Sequence, residues 1–166
     1  MKTIGVSLDI FNNLRQTPLH LAVIIGNRDI IKVLLQHGAS VNVKDRRGNN
    51  AIQLAVKFFQ EECFQVLLGD PSSRSALDSL DYEGLSAVHH AVINGNMSAV
   101  NFLYHCGADV NSIDGKSGRT PLIQVVLQGN VEMVHLLLKC GAFVAKVDYS
   151  GLSALDIAHQ TYLELA

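Results

Sequence analysis

The side chains able to do chemistry in this 166-residue sequence are seven histidines, three cysteines and a run rich in glycine and hydroxyls at Asp114-Gly115-Lys116-Ser117-Gly118-Arg119-Thr120. A histidine serves as general base, or as half of a nucleophilic pair, when a Ser, a Cys or a carboxylate stands in a motif near it. No such motif accompanies His20, His37, His89, His90, His105, His135 or His159. Cys63, Cys106 and Cys140 are widely spaced, whereas zinc sites bring Cys or His in close pairs. Reduced structural thiols are expected from them, and no metal site. The run from Asp114 has the residue types of a P-loop but not the order Gly-x-x-x-x-Gly-Lys-Ser/Thr, nor a strand before it and a helix after it. The chain therefore reads as a non-enzyme with no catalytic residue and no cofactor.

Recurrence explains these residues better than chemistry does. Thr17-Pro18-Leu19-His20-Leu21-Ala22-Val23 returns in weaker form at Asn50, Ser86, Thr120 and Ser153, in steps of 33, 36, 34 and 33 residues. A period of that size, with Gly a fixed distance before the anchors, marks a repeat array whose unit is a β-turn followed by two helices. In the turn, Asp45 bonds the backbone through its side chain, Gly48 accepts positive φ and Asn50 stands as N-cap. In the first unit Thr17 is the N-cap and Pro18 follows at N1, where the missing N–H is not needed. Leu19, Leu21 and Ala22 form the apolar side of that helix and Gly26 ends it. A second helix is expected from about Asp29 through Ile30, Ile31, Val33, Leu34 and Leu35 to Gly38, with Asp29 near its positive end.

The pattern repeats at Gly84, Ser86 and Gly95, at Gly118, Thr120 and Gly129, and begins again at Asp148, Gly151 and Ser153. Cys106 and Cys140 hold the same place in their units, just before Gly107 and Gly141. The second unit departs most, since Asn50-Ala51-Ile52-Gln53 lacks Pro and His. The segment Gly69 to Leu80 carries three extra residues in the 36-residue step and is expected as a longer surface finger, not a domain break.

Composition fits one domain over 1–166, with units at about 12–44, 45–80, 81–114, 115–147 and 148–166. A formal charge of −2 gives no strong pull toward nucleic acid or anionic lipid. No apolar run approaches the ~20 residues of a membrane span, and Met1 to Val6 is too short for a secretory core.

The turn Gly, the Thr-Pro-Leu-His box, the mid-unit Gly, the Leu-rich second helix and Gly107-Ala108-Asp109-Val110-Asn111 together resemble the ankyrin repeat, from about Asp9 to Ala158. The resemblance implies an all-α ankyrin solenoid of four full repeats plus a C-terminal half repeat, with β-turn fingers. In that repeat the box His, here His20 and His89, bonds a neighbouring turn. Finer detail is similar to the IκB family, the ankyrin inhibitors and cofactors of NF-κB/Rel transcription factors. The similarity lies in Asp9 to Ile24, Asp45-Arg46-Arg47-Gly48-Asn49, Asp81-Tyr82-Glu83-Gly84-Leu85, Lys116 to Thr120 and Leu137 to Ala142. Asn12 to Thr17 and Ile113 to Ile123 look most like the nuclear cofactor branch or the ankyrin tails of NF-κB precursors, whereas Leu137 to Ala142 and Tyr149-Ser150-Gly151 lean toward the cytoplasmic inhibitors. The chain shows neither the Asp-Ser-Gly-x-x-Ser degron nor the acidic tail of signal-destroyed inhibitors, and a natural product of this length would resemble the short viral IκB mimics.

The resemblance implies a protein partner, a Rel/NF-κB dimer, covered non-covalently by a concave side of first helices and turn tips. The positions expected to bind it are Arg46, Arg47, Asn49, Tyr82, Glu83, Leu85, Lys116, Arg119, Tyr149 and Leu152 at the tips, with Val23, Ile24, Lys57, Phe58, Ile93 and Asn94 on the first helices. Phe58 and Tyr82 are the expected anchors, as aromatics dominate hot spots. Asn111 is expected as a substrate of the asparagine hydroxylase that modifies ankyrin repeats, ahead of Asn42. The expected molecule is a monomer in isolation, cytoplasmic and/or nuclear, that inhibits nuclear import or DNA binding without direct nucleic-acid or membrane contact. Two alternatives stay open: a nuclear coregulator in a ternary complex on DNA, and a generic ankyrin adaptor.

Overall fold

The computed structural model describes residues 7–165. Met1 to Val6, read above as too short for a secretory core, lie outside them. Two compact units divide the chain, Met1–Ala76 and Leu77–Ala166. The first holds α1 (Pro18–Ile25), α2 (Arg28–Gln36), α3 (Ala51–Lys57) and α4 (Glu61–Gly69), and the second holds α5 (Ala87–Ile93), α6 (Met97–His105), α7 (Pro121–Gln128), α8 (Val131–Lys139) and α9 (Ala154–Leu165). Among the described residues there are no named strands, and Val147 and Ser153 form an isolated bridge.

Each first helix starts where a side chain replaces the missing intrahelical acceptor. Thr17, Asn50, Ser86 and Thr120 accept from the backbone N–H of His20, Gln53, His89 and Ile123. His20, Gln53 and His89 answer by accepting the N–H of the cap residue, at 3.0, 2.9 and 3.4 Å, which closes three capping boxes. Ser153 and Asp156 make the same exchange at α9. Since Nδ1 of His20 and His89 accepts, Nε2 carries the proton, and it donates to Val43 O (3.0 Å) and Arg119 O (3.1 Å). The box histidines thus tie the first and third repeats to the finger that follows each, as the resemblance implied. Burial pushes both imidazoles below their ordinary pKa.

Asn27, Asn96 and Asn130 cap the second helices by accepting from Ile30, Ala99 and Met133 N–H, so α2 begins at Arg28, a residue before the expected start. Gln60 stands at the same place in the second unit and makes no side-chain cap.

The paired helices are short, and each buries one narrow face. In the first unit α1 packs on α2 and α3, and α4 on α2 and α3; in the second, α5, α7 and α9 form one row with α6 and α8 behind. Leu19, Val23, Ile31, Ile52, Phe64 and Leu67 fill the first core, and Val88, Val100, Leu103, Leu122, Ile123, Met133 and Leu137 the second. Burying one such side chain stabilises by about 1.5–3 kcal/mol. Leu21, read as core from its type, is 40% exposed, and Ile30 and Val33 are also exposed, because the narrow stripe leaves neighbouring apolar positions outside.

The segment after α4 is not a surface finger. Pro71–Ser75 is a 3-10 turn whose Asp70 cap accepts from Ser72 N–H, and Ser73 donates its hydroxyl to Leu67 O. Ser73, Ala76 and Leu77 are buried, and Asn50 Nδ2 donates to Ala76 O at 2.9 Å. Pro71, Ser72, Arg74 and Ser75 of this turn stay exposed, while the small side chains of Ser73 and Ala76 are taken inside.

Candidate functional site

Every finger is built on one inward-facing acceptor. Asp45 Oδ1 accepts from Arg47 N (2.8 Å) and Asn49 N (2.9 Å), and Asp81 Oδ1 from Glu83 N (2.9 Å) and Leu85 N (3.0 Å). Asp148 does so with Ser150 and Leu152. In the first finger Asn12 takes this role toward Leu14 N and Gln16 N, both at 2.9 Å. Arg15 there holds φ 56° at the position that is Gly in the other units, which the periodic Gly did not reveal.

Asp114 fills its own turn with Lys116 N (2.8 Å), Ser117 N (2.5 Å) and the Ser117 hydroxyl (2.6 Å). Burial opposes its ionisation, but these bonds outweigh burial and hold its carboxyl below the usual range. A phosphate would meet that carboxylate, so the P-loop-like run is a closed turn. Asp148 is likewise lowered, by the Ser150 hydroxyl first, then by Leu152 N–H, with Arg119 adding to it.

Within each unit, adjacent fingers are laced by backbone. Arg46 N donates to Leu14 O (3.0 Å), Gly115 N to Gly84 O (2.9 Å) and Tyr149 N to Ser117 O (2.9 Å). The approach requires glycine at two places. A Cβ on Gly84 would stand 2.6 Å from Gly115 N, and one on Gly118 would stand 2.4 Å from Cδ1 of Tyr149.

In the Met1–Ala76 unit the structure brings six expected contact residues to one cleft of about 660 Å³, lined by Ile24, Arg46, Arg47, Asn49, Lys57 and Phe58. Arg46 and Arg47 are exposed at the tip, and Phe58 is 48% exposed. Ile24 and Lys57 are half-buried, and Lys57 Nζ donates to Asn49 Oδ1 at 2.5 Å. Two expectations are corrected. Asn49 is buried, its amide donating to the Asp45 carboxylate, and Val23 is fully buried in the helix core, so neither side chain is presented to a partner.

In the Leu77–Ala166 unit Tyr82, Glu83, Lys116 and Tyr149 are exposed at their tips, and Leu85, Arg119 and Leu152 are half-buried. Ile93 and Asn94 are exposed at the end of α5. Arg119 is partly committed within the chain, with Nε 3.6 Å from Asp148 Oδ2. Sequence reasoning missed His90, whose Nε2 lies 2.8 Å from Asp81 Oδ2 with both side chains buried. The available signal was a polar His90 where earlier units place Leu21 and Leu54. Asn111 is half-buried and held on both sides of its amide, donating to Gly141 O (3.2 Å) and accepting from Phe143 N (2.8 Å).

Among the described residues no group of three or more His, Cys, Asp or Glu is placed to hold a metal, and no helix is long and apolar enough to cross a membrane. Cys63 and Cys140 are buried free thiols whose pKa burial raises.

Two-helix units joined by laced fingers define an ankyrin-repeat binding module, and the family model "Ankyrin repeats (3 copies)" matches residues 3–75, 47–114 and 88–166. The mouse B-cell lymphoma 3 protein homolog is 47% identical over 152 residues, covering 91% of this chain and 34% of that protein. Human NF-kappa-B inhibitor alpha is 40% identical over 108 residues, covering 63% of this chain and 34% of that protein. The crystal structure of the ankyrin repeat domain of Bcl-3, described as a unique member of the IkappaB protein family, superposes with TM-score 0.91 and 42% identity over 96% of this chain and 71% of that one. The chain belongs to the IκB family of ankyrin-repeat proteins. It spans about a third, 34%, of the length of the B-cell lymphoma 3 relatives.

Proposed function

We propose that the chain binds Rel/NF-κB dimers through its finger tips and first helices and inhibits their nuclear import or DNA binding, with no chemical turnover. The observation that carries this reading is the 42% identity and TM-score of 0.91 with an IκB-family ankyrin domain. It is supported by exposed side chains at the expected places, with Arg46, Arg47 and Phe58 in one unit and Tyr82, Lys116 and Tyr149 in the other. Aromatic and arginine side chains on a rigid scaffold are the usual anchors of such contacts. The whole of 1–166 acts as one binding domain, a monomer in isolation, in cytoplasm, nucleus or both, and touches neither membrane nor nucleic acid directly. Calorimetry against a panel of Rel dimers tests the reading. Heat with one chain per dimer is expected, and uniform absence of heat sinks it and favours a generic adaptor.

A second reading, a nuclear coregulator that joins a Rel dimer on DNA, is favoured by the match to B-cell lymphoma 3 proteins over 91–93% of the chain against 63% for NF-kappa-B inhibitor alpha. A gel shift separates the two, since a coregulator slows the Rel–DNA band and an inhibitor removes it.

Asn111 is also proposed as a site of asparagine hydroxylation. Its bonds to Gly141 and Phe143 mean that the turn must open before the side chain reaches an enzyme. Peptide mass spectrometry after incubation should find oxygen at Asn111 before Asn42, and modification confined to Asn42 would count against it.

A further inference from the structure

We propose that the cleft of the Met1–Ala76 unit docks an acidic, amphipathic peptide segment of a partner protein. The walls of this cleft of about 660 Å³ differ in chemistry. Leu14, Ile24 and Phe58 supply apolar surface over the buried Leu54, and Arg46, Arg47 and Lys57 supply positive charge. The acidic side chain in the lining is Asp45, which is 6% exposed and accepts from Arg47 N, Asn49 N and the Asn49 amide. Its oxygens are taken up within the finger and, among the described residues, it forms no ion pair with either arginine. Among the described residues neither Arg46 nor Arg47 has an ion-pair or side-chain hydrogen-bond partner, so two guanidinium forks stand open at the rim. Such forks match carboxylates.

The apolar part is also open to solvent. Leu14 and Phe58 are 50% and 48% exposed, and next to them along the fold Phe59 and Ile25 are 60% and 73% exposed. Arg15 and Phe59, at φ 56° and 54°, are the non-glycine residues of the described chain held in the left-handed region. Arg15 lies between the lining residues Leu14 and Gln16, and Phe59 directly follows Phe58. The corresponding mid-unit positions elsewhere are Gly26, Gly95 and Gly129. Backbone strain kept at both margins of one cleft is a mark of a working surface.

The same charges decide against other occupants. A basic segment, including a nuclear-localisation sequence, would set like charges against Arg46 and Arg47. Two open arginines beside an apolar floor, on a chain of formal charge −2, do not make a phosphate-tracking groove. An amphipathic peptide laid with apolar side chains on Phe58 and Ile24 and carboxylates toward the finger uses the whole lining. The inference holds whichever protein carries the segment, so it does not rest on the Rel reading.

Fluorescence anisotropy on the full chain tests it, with three labelled probes: an amphipathic peptide of Glu with Leu and Phe, the same peptide with Lys for Glu, and a single-stranded oligonucleotide. The acidic peptide should bind, the lysine peptide and the oligonucleotide should bind more weakly, and Arg46→Glu with Arg47→Glu should lower the acidic peptide's affinity about tenfold or more. Phe58→Ala should also weaken it, while Lys139→Glu, on exposed surface of α8, should leave it unchanged. Failure of the acidic peptide to bind, a lysine peptide or oligonucleotide that binds as tightly, or affinity unmoved by the double reversal in a variant that melts like the parent would each overturn the proposal. Because no Rel protein is present, this outcome is independent of the calorimetry above.

Discussion

His90 Nε2 lies 2.8 Å from Asp81 Oδ2, and the two buried side chains join the first helix of a unit to the base of its own finger. Asp81 Oδ1 meanwhile holds Glu83 N and Leu85 N, so one carboxylate carries both the finger's shape and its attachment. Replacing His90 by Leu, the type found at Leu21 and Leu54, removes a donor from a buried carboxylate. A loss of about 1–3 kcal/mol is expected. Urea unfolding of His90→Leu beside Gln124→Leu, the same repeat position in the next unit, checks it; equal stability of the two variants would show that the pair contributes little.

Two crowded finger glycines should respond differently to the same added methyl group. At Gly84 the obstacle is Gly115 backbone at 2.6 Å, which cannot turn aside, whereas at Gly118 it is the ring of Tyr149, an exposed side chain. Both positions also hold positive φ, which disfavours any Cβ by roughly 1–2 kcal/mol. Gly118→Ala should therefore lose about that amount and displace Tyr149, and Gly84→Ala should lose several kcal/mol. Thermal melts rank the pair, and a Gly84→Ala protein as stable as Gly118→Ala would contradict the laced-finger geometry.

Much of this architecture was legible because its signals are local. A capping residue acts on the N–H three positions ahead, so Thr17, Asn50, Ser86, Thr120 and Ser153 announced their helices without knowledge of the rest. The position of the box histidines followed from register, and their bond to a neighbouring turn from the resemblance to the ankyrin repeat. What sequence did not reveal depends on three-dimensional return of the chain. His90 needed the finger to fold back over α5, and Ser73, Ala76 and Leu77 needed a packed neighbour before their burial could be seen. The candidate site was read as a set of tips but not as exposures: the resemblance places Asn49 and Val23 on the binding side, whereas the Asp45 carboxylate draws one inward and the helix core the other.

Tip residues should matter for binding and little for folding. Arg46, Arg47 and Lys116 are exposed in turns held by backbone and aspartate. A triple alanine variant should melt within about 0.5 kcal/mol of the parent, yet bind the Rel dimer more weakly. Arg119→Ala should differ, because its guanidinium also faces Asp148 at 3.6 Å. Unchanged affinity of the triple variant would make these tips solvated surface only.

Acid should destabilise the chain in two stages. His20 and His89 have folded-state pKa values lowered by burial. Their contribution is complete above the ordinary imidazole value of about 6.5 and declines as pH falls through it, since the unfolded chain then takes up protons the folded one refuses. Asp114, Asp148 and Asp156 are lowered by hydrogen bonds, so their contribution persists down to the ordinary carboxylate value of about 4 and is lost below it. Gln53 shows that glutamine closes the same capping box, accepting from Asn50 N at 2.9 Å. His20→Gln with His89→Gln should flatten the first stage and leave the second. Melting temperature followed across both ranges gives the test, and an unaltered first stage would assign it to other groups.

The C-terminal helix should open first in the Leu77–Ala166 unit. In a repeat array each helix pair is held by its neighbours, and a helix with one row to pack on lacks half that support. α9 packs on α7. Its first turn is well held: Ser153 and Asp156 exchange hydrogen bonds, and Ala154 and Ile157 are buried. Leu155, 65% exposed, lies on the outer side of that turn, and beyond it Ala158, His159 and Gln160 are exposed. Opening should therefore proceed from the far end toward Ile157, at a free energy well below the ~5–15 kcal/mol of a whole domain. Hydrogen exchange read by mass spectrometry should find fast exchange after Ile157 and slow exchange from Leu122 to Leu138, where Ile123, Val125, Met133 and Leu137 are buried. Slow exchange along all of α9 would mean that a partner or a second copy covers Leu155, and a concentration series would tell these apart, because only self-association makes the protection rise with protein concentration.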